Sequence, residues 1–218
     1  MLGAVDDATL LDAWRSGRRD AGARLVERYY AAVFRFFHGK VPVGICEDLA
    51  QQTFEVLCRR AEAFRGEGTF RSYVFGIARR VLLGWARRHR PTRDDAIAGL
   101  AADDPSPSGL LADREFEQIV AAALRRLDFD DQILIELKDW EGLSQAELAA
   151  LFEVPQPTVA RRLQRARGRL RDGVAALIDA PGPRAEALRN LESCMRSIRA
   201  RFDALADGVG GAAGSRGP

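Results

Sequence analysis

Apolar residues recur along this chain at the three- and four-residue spacings of α-helices, and no segment alternates as a half-buried β-strand would. Three such stripes lie within residues 1–90, with a break at residues 41–44 before the second. They predict an all-α domain whose last helix runs from about Phe70 to Arg88. The stripes consist of Leu25, Tyr29, Val33 and Phe36; of Leu49, Phe54, Val56 and Leu57; and of Phe70, Val74, Ile77, Val81 and Trp85.

The composition changes at Pro91, which ends the third predicted helix because proline lacks an N–H donor and clashes with the preceding turn. Residues 91–113 carry five aspartates against one arginine, a local charge of −4. Within them, residues 104–109 (DPSPSG) hold too little apolar surface to offset the entropy lost on ordering. We therefore predict a flexible acidic linker between two domains.

A second helical domain is predicted over residues 114–179, and it contains a helix-turn-helix pattern. Ser144 and Glu147 have the spacing of a capping box, in which each side chain bonds the other residue's backbone N–H. A helix follows from Gln145 to Phe152, then a turn over residues 153–156. The next helix starts at Pro157, where a missing N–H donor costs nothing, and extends to Arg171. Its predicted apolar face comprises Val159, Leu163, Ala166 and Leu170.

The second helix of this motif is strongly basic, with six arginines and no acidic residue between Arg161 and Arg171. Arg161, Arg165 and Arg169 lie four residues apart and therefore line one face. A recognition helix has this layout, because its first turns reach base edges in the major groove while flanking arginines bind phosphates. The arginines alone are equally typical of a solvated basic helix; the capping box and short turn favour DNA binding.

The first domain carries a second candidate nucleic-acid surface. Arginines without any acid occupy both ends of residues 79–90, and aromatic and basic residues interleave over residues 64–75 around a glycine-containing loop, 65–69. Aromatic faces beside cationic side chains suit unpaired bases, which stack on the rings while arginines follow the backbone. The alternative is that the aromatics are mostly core. We expect this of Phe70, whereas Arg71 and Tyr73 are free to face outward.

The whole-chain composition excludes other classes. The net charge of +2 argues against nucleic-acid binding only if the charges are evenly spread, and they are not. Three cysteines form no C-x-x-C pair, and with two isolated histidines they predict neither a disulfide framework nor a metal site; buried thiols are favoured. We expect no cofactor and no catalytic residues, and a soluble, cytoplasmic protein without a signal peptide or membrane span.

A last amphipathic helix is predicted within residues 180–207, followed by a disordered glycine-rich tail over 208–218. This helix either packs on the chain's own domains, which is the favoured interpretation, or binds a partner. If it packs across both domains, it would act as an autoinhibitory element. Its apolar positions are Leu188, Leu191, Met195, Ile198, Phe202 and Leu205.

From about Ala8 to Leu177 the chain resembles extracytoplasmic-function sigma factors, the bacterial transcription initiation factors of that group. The first domain is similar to their sigma-2 domain in residues 28–37 (RYYAAVFRFF), 47–54 (EDLAQQTF), 64–70 (FRGEGTF) and 77–80 (IARR). The second is similar to sigma-4 in residues 141–149 (EGLSQAELA), 154–155 (VP), 158–163 (TVARRL) and 165–170 (RARGRL). Several motifs occur in the family's order and spacing.

The resemblance implies a factor that binds core RNA polymerase, recognises double-stranded −35 DNA and melts the −10 element, with the acidic linker threading the polymerase channels. The implied polymerase-binding residues are Asp48, Gln51 and Gln52. The implied −10 residues are Arg65, Gly66, Thr69, Arg71, Tyr73, Arg79, Arg80, Arg87 and Arg88. The implied −35 residues are Pro157, Thr158, Ala160, Arg161, Arg162 and Arg165.

Four positions depart from the family's usual residues. Gln52 replaces an acid, Arg80 an asparagine, Pro157 a glycine, and Ala160 a lysine or arginine, so the promoter class is predicted but not its sequence. An anti-sigma partner is compatible with the resemblance. Two alternatives remain: an autonomous helix-turn-helix regulator, and a regulatory interaction protein that keeps the sigma fold without promoter use.

Overall fold

A computed structural model describes residues 5–60, 64, 66, 68–89 and 110–178, together with 191, 195–196 and 198–200. In this part of the chain the regular elements are all α-helices. They are α1 (Asp7–Arg15), α2 (Arg19–Phe37), α3 (Val43–Arg60), α4 (Phe70–His89), α5 (Leu110–Arg125), α6 (Phe129–Asp139), α7 (Gln145–Phe152) and α8 (Gln156–Leu177). The predicted all-α class is confirmed.

Helices α1–α4 form the first domain, with α2 packed against α1, α3 and α4. The three predicted stripes face its core, except that Val56 and Val81 are only half-buried. The predicted break is confirmed at Pro42, directly before α3. The fourth helix ends at His89, one residue beyond the predicted end.

No stripe predicted α1, because its nine residues place only Leu10 and Leu11 in the core. Its start is set by Asp6, whose carboxylate accepts the Thr9 N–H at 2.8 Å and so caps the helix. Asp7 then joins α1 to α2: it accepts hydrogen bonds from the Arg28 guanidinium and the Tyr29 hydroxyl. Burial, aided by Asp7, raises the pKa of Tyr29 to about 12, so the phenol stays a hydrogen-bond donor.

Helices α5–α8 form the second domain, in which α8 packs on α5, α6 and α7. The predicted linker boundary at Asp113 is wrong, because α5 begins at Leu110. The helix predicted to end at Arg171 continues to Leu177, since Val174 extends its buried stripe. Gly173 does not interrupt it, because α5 crosses there and a β-carbon at Gly173 would lie 3.4 Å from that of Ala123. Residues 91–109 lie outside the described residues.

The C-terminal segment packs on the second domain in its described part. Leu191, Met195 and Ile198 are helical, buried and part of the hydrophobic core. Leu191 and Met195 line a cavity of about 370 Å³ together with Trp140 and Leu170. For these residues the prediction of packing on the chain's own domains is confirmed. The predictions for Leu188, Phe202, Leu205 and the tail 208–218 fall outside the described residues.

The prediction of buried thiols holds for one cysteine and fails for another. Cys46 lies on the core-facing side of α3, where burial raises the pKa of its thiol to about 12. Cys58 is exposed, because it falls on the polar side of the same helix. Cys194 lies outside the described residues.

The crossing of α1 and α2 depends on a glycine, which yields a stability prediction. A β-carbon built on Gly22 would lie 2.7 Å from the indole ring of Trp14. Gly22→Ala should therefore lower the free energy of unfolding by about 1–3 kcal/mol, through overpacking. Gly84→Ala in α4 is the matched control, because the space around Gly84 is open. There the added methyl should raise stability by about 0.5–1 kcal/mol. Urea unfolding of both variants tests this, and equal effects would contradict it.

Candidate nucleic-acid and polymerase interfaces

The helix-turn-helix forms as predicted, from a capped α7 to the first turn of α8. The Ser144 hydroxyl accepts the Glu147 N–H at 3.2 Å, and the Glu147 carboxylate accepts the Ser144 N–H at 2.8 Å, which completes the capping box. After α7, Glu153 adopts a left-handed conformation with φ 55°, which turns the chain sharply. Pro157 then lies in the first turn of α8.

The first turns of α8 present the predicted −35 residues to the surface. The apolar stripe predicted for this helix is entirely buried, so the opposite side faces outward. Arg161 and Arg165 are exposed, and Thr158, Ala160 and Arg162 are half-buried. Arg169, predicted on the same face, instead pairs with Asp131 at 2.6 Å. Of the three arginines predicted to share one face, the two without a described ion pair, Arg161 and Arg165, therefore lie in the N-terminal half of the helix.

An acidic corner lies beside these arginines. Asp128, Asp130 and Asp131, at the start of α6, line a cavity of about 220 Å³ with side chains of α8. The α8 residues that line it are Arg162, Arg165 and Arg169. The acids favour the first turn of α6 electrostatically, because they lie at the positive end of its dipole. They also place negative charge next to the proposed −35 contacts.

The predicted −10 residues follow the loop before α4 and then α4 itself. Gly66 is exposed with φ 79°, a conformation that glycine adopts without strain. Thr69, Arg80, Arg87 and Arg88 are exposed, whereas Arg71, Tyr73 and Arg79 are half-buried. The Tyr73 hydroxyl donates to the Arg60 carbonyl at 3.1 Å. Phe70 and Phe75 are core residues, and Arg65 lies outside the described residues.

The predicted polymerase-binding residues share the exposed side of α3. Asp48, Gln51 and Gln52 are all exposed, and the Gln51 amide donates to Glu55 at 3.3 Å. Their exposure is compatible both with an interface and with a solvated face.

Three of the predicted −10 residues contact the second domain. The Thr69 hydroxyl donates to the Glu147 carboxylate. Arg71 donates to the Glu141 carbonyl at 2.8 Å and lies 3.4 Å from its carboxylate. Arg79 donates to Asp130 at 2.9 Å, with its guanidinium 4.7 Å from the centre of the Phe152 ring. We refer to Thr69–Glu147, Arg71–Glu141 and Arg79–Asp130 as the three polar interdomain contacts. Nothing in the local sequence patterns indicated them.

Two buried ion pairs join the domains beneath these contacts. Arg35 pairs with Glu141 and Lys40 with Glu136, and all four side chains are at most 6% exposed. Burial lowers the pKa of Lys40 and raises that of Glu136, while their mutual attraction opposes both shifts. A sequence signal for these ion pairs does exist. Arg35 and Glu136 are charged residues within the apolar runs Phe34–Phe37 and Ile133–Leu137.

Within the described residues, no His, Cys, Asp or Glu group of three or more is placed to hold a metal ion. None of the described helices is long and apolar enough to cross a membrane.

Family models and sequence relatives identify the family to which this chain belongs. The model described as Sigma-70 region 2 matches residues 25–92, and the model described as Sigma-70, region 4 matches residues 117–170. The ECF RNA polymerase sigma-E factor of Salmonella typhimurium is 30% identical over 185 residues, covering 80% of this chain and 97% of that protein. The chain belongs to the ECF family of RNA polymerase sigma factors. The Haemophilus influenzae sigma-E factor is 28% identical over 189 residues, 82% of this chain and all of that protein.

Two solved structures share the fold of this chain. CnrH, in complex with the cytosolic domain of CnrY, matches with a TM-score of 0.56 and 26% identity, over 80% of this chain and 98% of that one. The Bartonella quintana sigma factor RpoE, in complex with the anti-sigma factor NepR, has a TM-score of 0.52 and 22% identity, which supports the fold. As an ECF sigma factor, the chain binds core RNA polymerase and directs it to promoter DNA.

The buried His38, near the domain junction of this ECF sigma factor, predicts that the free energy of unfolding depends on pH. Burial, with Lys40 and Arg125 adding, lowers the pKa of His38 from 6.5 to about 4. As the pH falls from 7 to 5, the unfolded chain therefore takes up a proton that the folded chain does not. Stability that is present above pH 6.5 is lost on the way to pH 4, about 2 kcal/mol of it between pH 7 and 5.

Removing the imidazole should remove that part of the pH dependence. In His38→Gln, the difference between the free energies of unfolding at pH 7 and pH 5 should shrink by about 2 kcal/mol. Urea titrations of the wild type and the variant at both pH values measure this. An unchanged difference would show that His38 protonates equally in both states.

Proposed function

We propose that the two domains divide promoter recognition between them, with α8 reading the −35 element and the loop 65–69 and α4 holding the opened −10 strand. The observation that carries the proposal is the start of α8, where a capped helix-turn-helix presents exposed Arg161 and Arg165. Helix-turn-helix proteins use the first turns of the second helix to contact base edges. Because the opposite stripe is buried, the side that carries Arg161 and Arg165 is the one that we propose enters the groove.

The −10 proposal rests on donors rather than on exposed aromatic rings. Phe70 and Phe75 are buried, so base stacking on them is unavailable in this arrangement. Thr69, Arg71 and Arg79 supply a hydroxyl and two guanidinium groups, which suit the phosphates and base edges of a displaced strand. Arg80, Arg87 and Arg88 extend this surface along exposed positions of α4.

The third role is attachment to core polymerase through Asp48, Gln51 and Gln52 on α3, with the acidic linker, residues 91–109, passing through the enzyme. Gln52 removes a charge usual at its position, so shape and hydrogen bonding contribute more at this contact. Sigma factors are generally non-enzymatic, and we propose that this chain performs no bond chemistry and acts in the cytoplasm.

Run-off transcription tests the proposed division of roles. Purified core polymerase is incubated with a pool of promoter fragments, with and without the full-length chain. Factor-dependent, sequence-selective transcripts are the expected result, and they also reveal the promoter. Duplex binding by the free chain, with neither transcripts nor polymerase binding, would favour the autonomous helix-turn-helix regulator. Polymerase binding without selective transcripts would favour the regulatory interaction protein.

The −35 assignment predicts a specific effect of Arg165. Arg165→Ala should weaken binding of the polymerase holoenzyme to the selected promoter by about 1–3 kcal/mol, because a base contact is lost. Arg171→Ala removes the same charge from an exposed position further along α8 and should have a much smaller effect. Filter binding at fixed salt measures both variants. Equal losses of promoter affinity in the two variants would show that Arg165 contributes only its positive charge and no base contact.

The C-terminal segment is proposed to restrain the factor. Leu191 and Met195 pack on the second domain, and Arg199 lies close enough to Glu141, Arg35 and Arg71 for their charges to act on its pKa. The segment therefore lies beside residues of both domains.

A matched pair of substitutions tests this restraint. Ile198→Glu places a charge in a buried position and should release the segment, raising factor-dependent transcription about twofold or more if roughly 0.5 kcal/mol of restraint is lost. Ala200→Glu adds the same charge at an exposed position two residues away and should leave transcription unchanged. Equal transcription by both variants would dispose of the restraint.

A further inference from the structure

We infer that the closed arrangement is self-inhibited, because carboxylates of the second domain occupy the hydrogen-bond donors with which the first domain would hold the −10 strand. The inference rests on the proposed −10 surface. It adds a competitor for that surface, built into the chain itself. The competitor is the set of carboxylates at Asp130, Glu141 and Glu147.

Each of the three polar interdomain contacts joins a proposed DNA donor to an acidic residue. The Glu147 carboxylate accepts from the Thr69 hydroxyl, and the Asp130 carboxylate accepts from Arg79. Arg71 donates to the main-chain carbonyl of Glu141 at 2.8 Å, and its guanidinium lies 3.4 Å from the Glu141 carboxylate. A nucleic-acid strand offers these same donors anionic phosphate oxygens. A guanidinium group whose N–H groups point at a carboxylate cannot place them on a phosphate at the same time. The closed arrangement and strand binding therefore compete for the same N–H and O–H donors at these residues.

The match extends to the aromatic partner of Arg79. Its guanidinium lies over the Phe152 ring while it pairs with Asp130, so it is held on one side by a π-face and on another by an anion. An unpaired nucleotide offers the same two features, a base face and a phosphate. The second domain thus imitates both parts of the ligand proposed for this arginine.

Asp130 connects the two proposed DNA surfaces. It pairs with Arg79 of the first domain, and it lines the cavity that Arg162 and Arg165 share in the second. The negative charge that satisfies the −10 donor therefore also lies beside the −35 helix. When the domains separate, the −10 donors become available to DNA. The acidic corner then contacts only α8 of its own domain.

The buried ion pairs beneath these contacts select one relative orientation of the two domains, but they do not prevent the domains from separating. Arg35–Glu141 and Lys40–Glu136 orient the domains, because neither pair tolerates a shifted partner in an apolar setting. When the domains separate, all four charges regain water, which offsets much of the attraction that is lost. The closed state is therefore a reversible one that polymerase and DNA can displace.

The experiment neutralises the two more exposed carboxylates and leaves the buried pairs intact. In the Asp130→Asn, Glu147→Gln double variant the capping box survives, because glutamine also serves at that position. The matched control is Glu153→Gln, Asp172→Asn, which changes the net charge of the same domain equally at exposed residues without a described contact to the first domain. Equal melting temperatures verify that both variants fold.

Two measurements on the full-length free chain follow. Fluorescence anisotropy with a labelled single-stranded oligonucleotide of mixed sequence should show about fivefold tighter binding by the double variant than by the control, as expected if each of two part-exposed contacts contributes about 0.5 kcal/mol. The radius of gyration from small-angle X-ray scattering should increase in the double variant alone. Equal oligonucleotide affinities of the double variant and the control would overturn the inference.

A third variant separates this inference from the proposed function. Arg71→Ala, Arg79→Ala removes the donors themselves and is assayed in the holoenzyme, where polymerase holds the domains in place. Loss of promoter opening supports the −10 surface, and unchanged opening removes it. On polymerase, which holds the domains apart, the double carboxylate variant should gain less in promoter opening over the wild type than the free chain gains in oligonucleotide affinity. A holoenzyme gain equal to the free-chain gain would assign its effect to charge alone and overturn the self-inhibition.

Discussion

The arrangement of this sigma factor depends on two ion pairs buried where its domains meet. Arg35 and Lys40 come from the end of α2 and the turn after it, and Glu136 and Glu141 from the end of α6 and the loop after it. Buried charges are costly unless they are paired, so each side chain requires its partner in the other domain. In the same arrangement α4 packs against α7, and the three polar interdomain contacts form beside the buried pairs.

The closed arrangement distributes the proposed binding surfaces unequally. The exposed side of α3 and the start of α8 remain accessible, whereas Thr69, Arg71 and Arg79 are engaged by the second domain. This separation suits a factor whose DNA contacts are to be made only on polymerase.

Local features of the site were predictable because they depend on residues close in sequence. The capping box joins residues three apart, and the start of α7 follows from it. The stripe of α8 follows from helical periodicity, although its C-terminal end was placed too early because Arg171 marks a charge boundary rather than a helix boundary. The start of α5 at Leu110 was missed because residues 91–113 were interpreted by their acidic composition as one segment.

The helical class, the two domains, the helix-turn-helix and the membership of the family follow from the sequence, since each rests on periodicity, capping or motif spacing within a short stretch of chain. The pairing of Arg71 and Arg79 with acidic residues of the second domain, and of Arg169 with Asp131, could be seen only in the folded chain. The physical reason is that ion pairing depends on distance in space. Arg35 and Glu141 are 106 residues apart along the chain, and no local pattern encodes which of many acids a given arginine will meet.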